Sequence, residues 1–142
     1  VSIISGYLDV SVKVETERDE MARKKNQGSK WIRPMKRQAI YDRDQRRCCC
    51  CGQTEEQGAF LTLDHVIACE LLDRPDNRPE NLVTMCRPCN SSKQDKTMRQ
   101  WYAVMRARGT DVKAIQRRIR SAIKRDWKRH YKARKAAQGA RA

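Results

Sequence analysis

Two pairs of cysteines at the same short spacing constrain this sequence more than any other feature. Two residues separate Cys48 from Cys51, and two separate Cys86 from Cys89. Two thiolates on one tight turn can bind the same metal ion, and two such turns supply the four ligands of a tetrahedral zinc. Because four thiolates leave no position for water, the predicted zinc is structural.

The composition indicates why this chain needs a metal. Hydrophobic residues make up 39% of its 142 residues and charged residues 35%, and small apolar cores usually need a metal or disulfides. No signal peptide is recognisable, so we expect a reducing cytoplasm, where paired cysteines bind metal. Buried or redox-active cysteines are the alternative. Three further thiols are expected to be structural or incidental: Cys49, Cys50 and Cys69.

The charge balance predicts a polyanionic partner. The chain has 32 Lys and Arg against 17 Asp and Glu, a net charge of +15, and nucleic acid is the simplest partner for such a chain. An anionic membrane surface is the alternative, but no apolar stretch approaches the ~20 residues of a spanning helix. We therefore expect nucleic acid as a partner and no membrane association.

The hydrophobic pattern predicts short strands and amphipathic helices. After a short strand over 8–14, the predicted elements are a helix over 34–44, strands over 60–66 and 82–85, and a helix from about Asn90 to Gly109. From Asp111 onward, apolar residues recur at helical spacing among twelve Lys and Arg, which predicts one basic amphipathic helix. The predicted organisation is a partly flexible N-terminal extension over 1–30, a domain over 31–108 and a basic C-terminal helix over 109–142.

Four polar residues stand in a fixed order around the cysteine pairs. Asp64 and His65 end the first strand after Cys51, Asn81 precedes the second, and Asn90 directly follows Cys89. In this order, over about residues 46–97, the sequence resembles the HNH endonuclease family, of the kind common in bacteriophages. The resemblance implies a small α+β fold, a ββα-metal finger with a four-cysteine zinc site, here flanked by basic helices.

The resemblance also implies a role for each of the four residues. His65 would be the general base, since an imidazole can take up a proton near neutral pH. Asp64 and Asn90 would bind a catalytic ion, and their oxygen atoms suit Mg²⁺ or Mn²⁺. Asn81, which we place in the catalytic set, would bridge the loop and orient His65. Taken singly, each residue also fits a structural role, and one of three loop acids could join the metal: Glu70, Asp73 or Asp76.

The predicted function is a metal-dependent DNA endonuclease of low sequence specificity that nicks or cuts DNA, in phage DNA processing. Arg87, Lys93 and Lys96 are expected to contact the substrate phosphates. A non-catalytic zinc module that binds nucleic acid is one alternative, and a nuclease that resolves branched DNA is another. We expect a monomer or a homodimer, with phage DNA-packaging proteins as further partners.

Overall fold

A two-stranded antiparallel sheet flanked by helices makes up the described part of the chain, residues 31–67 and 76–141 of a computed structural model. The predicted N-terminal strand, Cys69, Glu70 and Asp73 lie outside the described residues. The predicted α+β fold class is confirmed. The elements are α1 (Pro34–Arg43), β1 (Leu61–His65), a 3-10 turn (Pro79–Asn81), β2 (Leu82–Cys86), α2 (Arg87–Lys93), α3 (Met98–Ala107), α4 (Val112–Lys124) and α5 (Trp127–Gly139).

The two predicted strands pair with each other. Leu61 lies opposite Cys86, and His65 lies opposite Leu82. Along β1 the burial alternates, with buried leucines between partly exposed polar residues. In contrast, β2 is buried along its whole length, because α1, α2 and α4 all contact it. The sheet therefore holds the end of β1, which carries Asp64 and His65, against the helices that follow β2.

A buried ion pair joins the end of α1 to β2. Arg43 is only 1% exposed, and its Nε lies 2.6 Å from Oδ1 of Asp44. The same guanidinium donates to the carbonyl oxygens of Pro79 at 2.7 Å and Leu82 at 2.6 Å. Oδ2 of Asp44 accepts from the backbone nitrogen of Thr84 at 2.9 Å. This network satisfies both buried charges and fixes the turn that leads into β2.

The prediction of one helix from Asn90 to Gly109 is wrong, because the structure has two helices here. The first, α2, begins at Arg87 and ends where Gln94 adopts a positive φ of 51°. The second, α3, follows Thr97, whose side chain accepts from the backbone nitrogen of Gln100 in a capping box. Such a box satisfies two backbone donors at a helix start, so the chain begins a new helix there.

The single basic helix predicted over 109–142 is also wrong. Two helices, α4 and α5, meet at Asp126, whose side chain accepts from the backbone nitrogen of Lys128 at 3.0 Å. One face of α4 is buried, whereas α5 has no buried residue and packs on α1, where Arg134 pairs with Asp42. Among the described helices, none is long and apolar enough to cross a membrane.

Candidate functional site

The four cysteines of the two predicted knuckles converge in space. Their sulfur atoms all lie within 4.8 Å of one another, and Sγ of Cys51 lies 3.7 Å from Sγ of Cys86. A tetrahedral zinc with Zn–S bonds of about 2.3 Å separates its sulfur ligands by about 3.8 Å. The cluster of Cys48, Cys51, Cys86 and Cys89 is therefore a site of the right size for one such ion.

Local backbone geometry builds each half of the cluster. In the first knuckle the backbone nitrogen of Gly52 donates to the carbonyl of Cys48 at 3.0 Å, and Gly52 has a φ of 78°. This left-handed conformation costs least for glycine. The second knuckle opens α2, and the backbone nitrogen of Arg87 donates to the carbonyl of Phe60 at 2.8 Å. That bond holds the second knuckle beside the start of β1.

The electrostatics of the cluster favour a cation. A hydrogen bond from Cys89 lowers the pKa of Cys48 to about 4, although burial opposes this shift. Burial raises the pKa of Cys86 to about 11. A thiolate at Cys48 beside three further sulfur atoms attracts a cation, and a metal ion displaces thiol protons when it binds. Cys49 and Cys50 are buried outside this group of four.

Asp64, the first predicted ligand of the catalytic ion, forms a buried ion pair. Its Oδ2 lies 2.8 Å from Nζ of Lys93, and the two side chains are 13% and 2% exposed. Burial raises the pKa of Asp64, and the Lys93 ammonium opposes that shift. Beyond this ion pair, Oδ2 receives no directional hydrogen bond from the described residues. A buried carboxylate oxygen that already holds one cationic group has the chemistry that a hard divalent ion requires.

Asn90 lies on the same side of the sheet as Asp64. Its Nδ2 donates to Oγ1 of Thr62 at 2.9 Å and to the carbonyl of Leu63 at 3.4 Å. Thr62 and Asp64 share one face of β1, since alternate residues of a strand point to the same side. Asn90 and Lys93 share one face of α2 because they are three residues apart. The hydrogen bond of Asn90 with Thr62 and the ion pair of Lys93 with Asp64 therefore both join this face of α2 to this face of β1. Asn90 thus lies on the Asp64 side of the strand.

His65 points away from Asp64, towards the chain that leads into the 3-10 turn. Its Nε2 lies 2.8 Å from Oδ1 of Asn77. An amide oxygen can only accept a hydrogen bond, so this contact favours the neutral tautomer that carries its proton on Nε2. The sequence showed Asn77 only as a loop residue. Its contact with His65 arises from folding, and no spacing in the sequence could have revealed it.

Asn81 bridges the two ends of the chain segment between His65 and the 3-10 turn. Its Oδ1 accepts from the backbone nitrogen of Ile67 at 2.8 Å, and its Nδ2 donates to the carbonyl of Asp76 at 2.9 Å. The carbonyl of Asn81 also accepts from the backbone nitrogen of Val66 at 2.8 Å. Asn81 therefore ties Ile67 to Asp76, and its role in orienting His65 stays a prediction.

The match to a family model identifies the kind of domain to which these residues belong. Residues 48–96 match the model of the HNH endonuclease family. They form an HNH endonuclease domain. The matched segment of this HNH domain spans both cysteine pairs, both strands and α2, which are the elements that carry the geometry described above.

One solved structure to which this chain is similar is the type II-C Cas9 enzyme from Actinomyces naeslundii, with 22% sequence identity and a TM-score of 0.41. The similarity covers 84% of this chain and 14% of that enzyme, so the chain spans a small part of its length. A search of curated proteins finds no significant match. The assignment of residues 48–96 to the HNH family therefore rests on the family match.

The structure corrects one of the three predicted phosphate contacts of the HNH domain. Lys93 is 1% exposed and paired with Asp64, so its ammonium does not face an approaching DNA strand. Arg87 is exposed, and its guanidinium lies 5.6 Å from the ring centre of Phe60. Lys96 is partly exposed and donates to Oε1 of Gln94 at 3.4 Å. Phosphate contacts by Arg87 and Lys96 stay predictions.

Replacing Asn77 with alanine is expected to slow DNA cleavage by the HNH domain about tenfold, because the His65 ring loses the acceptor that holds its proton on Nε2. The tautomer of His65 is measured from the ¹⁵N shifts of the ring, and the variant should show a mixture of the two neutral forms. Glu80→Ala, an exposed change in the neighbouring turn, is the control. An unchanged tautomer in Asn77→Ala would contradict the role given to Asn77.

Proposed function

We propose that this HNH chain is a metal-dependent endonuclease that hydrolyses phosphodiester bonds of DNA with low sequence specificity. The observation that carries the proposal is the pairing of α2 with β1, which places Asn90 beside the strand face of Asp64, while the next residue, His65, is held by Asn77. An acidic ligand, an amide ligand and a base are the groups that metal-assisted hydrolysis requires.

Asp64 and Asn90 are the residues that would hold the catalytic ion. The Nδ2 atom of Asn90 is bound to β1, so Oδ1 is the atom with which it would reach a cation. Both donors are oxygen atoms, which suits Mg²⁺ or Mn²⁺. Such an ion, when bound, stabilises the negative charge that develops on the phosphate and on the leaving oxygen.

His65 is the proposed general base. Asn77 holds the ring through Nε2, and the imidazole in this orientation is proposed to take a proton from the attacking water. Asn81 keeps the chain after His65 in place through its bonds to Ile67 and Asp76. These residues therefore position the base before the substrate arrives, which lowers the cost of reaching the reactive geometry.

The four-cysteine cluster is proposed to hold a structural zinc. Its four sulfur donors would close the coordination sphere, and the second knuckle runs directly into Asn90 through Cys89. The zinc would therefore set the position of one ligand of the catalytic ion. Its thiolates require a reducing environment, which supports the proposed cytoplasmic location.

DNA is the proposed substrate because the chain carries a net charge of +15, and contacts of Lys and Arg with the DNA backbone are independent of sequence. Both helices of the C-terminal region expose basic side chains. We also propose a role in phage DNA processing, with phage packaging proteins as partners, and a monomeric or homodimeric state. These points are supported by the family resemblance alone.

Relaxation of supercoiled plasmid tests the proposed function. We expect the protein to nick or cut plasmid with Mg²⁺ or Mn²⁺, and EDTA to abolish the reaction. His65→Ala should lower the rate by roughly 10²–10⁴-fold, while its affinity for duplex DNA is unchanged. His130→Ala removes the other histidine, which lies on α5, and should cleave at the normal rate. If the unaltered protein were inert with every metal tried, a non-catalytic nucleic-acid-binding module would be the better interpretation.

A further inference from the structure

A cavity between α4 and the first knuckle is lined by four arginines. Its volume is about 270 Å³, and Arg47, Arg117, Arg118 and Arg125 contribute to its wall. None of the residues proposed for cleavage lines it. Four guanidinium groups around one small space repel one another. An anion that enters the cavity would offset this repulsion and stabilise the arrangement.

The acidic residue that lines the cavity does not neutralise these arginines. This residue, Asp44, is 6% exposed. Its Oδ1 and Oδ2 are bound by Arg43, and its Oδ2 also accepts from Oγ1 of Thr84 at 2.9 Å. Because Arg43 already compensates its charge, Asp44 does not offset the positive potential of the cavity arginines.

Two of the arginines are fixed by the fold. Nη1 of Arg118 donates to the carbonyl of Cys50 at 2.7 Å. Arg125 donates to the carbonyl of Arg43 at 3.2 Å and to Oγ of Ser121 at 3.1 Å. A guanidinium has five N–H donors, so both groups are held in place and still have donors for a ligand.

The other two arginines, Arg47 and Arg117, are exposed. Their side chains make no hydrogen bond or ion pair within the described ranges, 31–67 and 76–141. Their donors are therefore available to a ligand without the loss of a protein contact. Two fixed and two uncommitted guanidinium groups make a site that can close around an entering anion.

The four arginines do not all serve to balance the charge of the thiolates in the proposed zinc site. Arg118 fits that role, since it binds the carbonyl of Cys50 beside the knuckle. Arg125 instead binds the carbonyl of Arg43, at the end of α1. The cavity can therefore accept an anionic ligand in addition to serving the cysteines that line it, Cys48 and Cys49.

We propose that this cavity binds a backbone phosphate of DNA, outside the site of cleavage. Arginine forks match phosphate oxygens in geometry and charge, and such contacts fix the position of a duplex without reading its sequence. The proposal rests on DNA being the substrate of the proposed nuclease. The cavity would hold the duplex in register while Asp64, His65 and Asn90 act on another phosphate.

A pair of double variants tests the cavity, both made in the His65→Ala protein so that DNA stays intact. Arg47→Gln/Arg117→Gln removes two charges from the cavity, and neither residue makes a side-chain hydrogen bond in the described structure. Lys113→Gln/Arg120→Gln removes two exposed charges from α4 that do not line it. Fluorescence anisotropy of a labelled duplex at several salt concentrations gives the affinity and its salt dependence.

The cavity variant should bind DNA roughly tenfold more weakly, and the slope of log K against log salt should become shallower by about one, as for the loss of one phosphate contact. The control should change the affinity by no more than about threefold. Equal losses in both variants would overturn the proposal. If the double variant does not fold, Arg117→Glu on the exposed side of α4 tests the same point.

Two further measurements identify what the cavity binds. Titration of the unaltered protein with inorganic phosphate should shift the arginine side-chain NMR signals of the cavity. If phosphate binds but DNA affinity is unchanged in the cavity variant, the site is for a free anion and the assignment to DNA is wrong. If the variant loses its zinc, the arginines serve the thiolates and the proposal falls. Plasmid cleavage by the unaltered protein tests the nuclease proposal separately.

Discussion

Replacing Cys86 with serine is expected to abolish cooperative folding of the HNH domain. Structural zinc contributes about 10–16 kcal/mol in small zinc domains at pH 7, and a typical domain is stable by only about 5–15 kcal/mol. With three sulfur ligands the ion binds much more weakly, and the knuckles that hold β1 and α2 lose their common anchor. Circular dichroism should show no sharp thermal transition, and metal analysis should find far less than one zinc per chain.

Cys49→Ala is the matched control, since Cys49 is a buried neighbour outside the group of four. It should retain one zinc per chain and lose no more than about 1–2 kcal/mol of the free energy of unfolding. Removal of zinc from the unaltered protein by a strong chelator should reproduce the Cys86→Ser result. A Cys86→Ser protein that unfolds cooperatively without zinc would show that the cluster is not a structural metal site.

Replacing Lys93 with methionine is expected to lower the free energy of unfolding by about 3–5 kcal/mol in EDTA, because Asp64 then lies buried without its cationic partner. Urea denaturation measures this loss. Mn²⁺ should restore more stability to the variant than to the unaltered protein, since the ion no longer competes with an ammonium group for Oδ2 of Asp64.

Lys96→Met, which changes a partly exposed lysine nearby, should cost less than about 0.5 kcal/mol. In Asp64→Asn/Lys93→Met both charges are gone, so most of the lost stability should return. If Lys93→Met were as stable as the unaltered protein and bound Mn²⁺ equally well, the ion pair of Lys93 with Asp64 would have no part in shaping the metal site.

Local signals in the sequence account for most of the fold. The cysteine spacing predicted the cluster, and the alternating leucines of β1 predicted a strand because successive side chains of a strand point to opposite faces. The split between α2 and α3 also had a local signal, Thr97 three residues before Gln100, which is typical of a capping box. The split between α4 and α5 was missed because the apolar residues continue at helical spacing past Asp126 to Trp127. Asp126 is nevertheless a favourable N-cap residue.

The candidate site was predicted less completely, because two of its contacts depend on tertiary packing. The burial of Lys93 against Asp64 arises when α2 packs on β1, and lysine is otherwise among the residues most often exposed. The bond between His65 and Asn77 joins residues twelve positions apart across a loop. Neither contact leaves a periodic pattern in the sequence, so both appear only when the elements are placed in three dimensions.

The bridge made by Asn81 has a consequence for how this domain can vary. Ile67 and Asp76 are tied to one amide group, so a single side chain holds the backbone two residues after His65 and the backbone next to Asn77, the partner of His65. A change at Asn81 would disturb both points at once. We therefore expect this position to tolerate fewer substitutions than Glu80, its exposed neighbour in the chain.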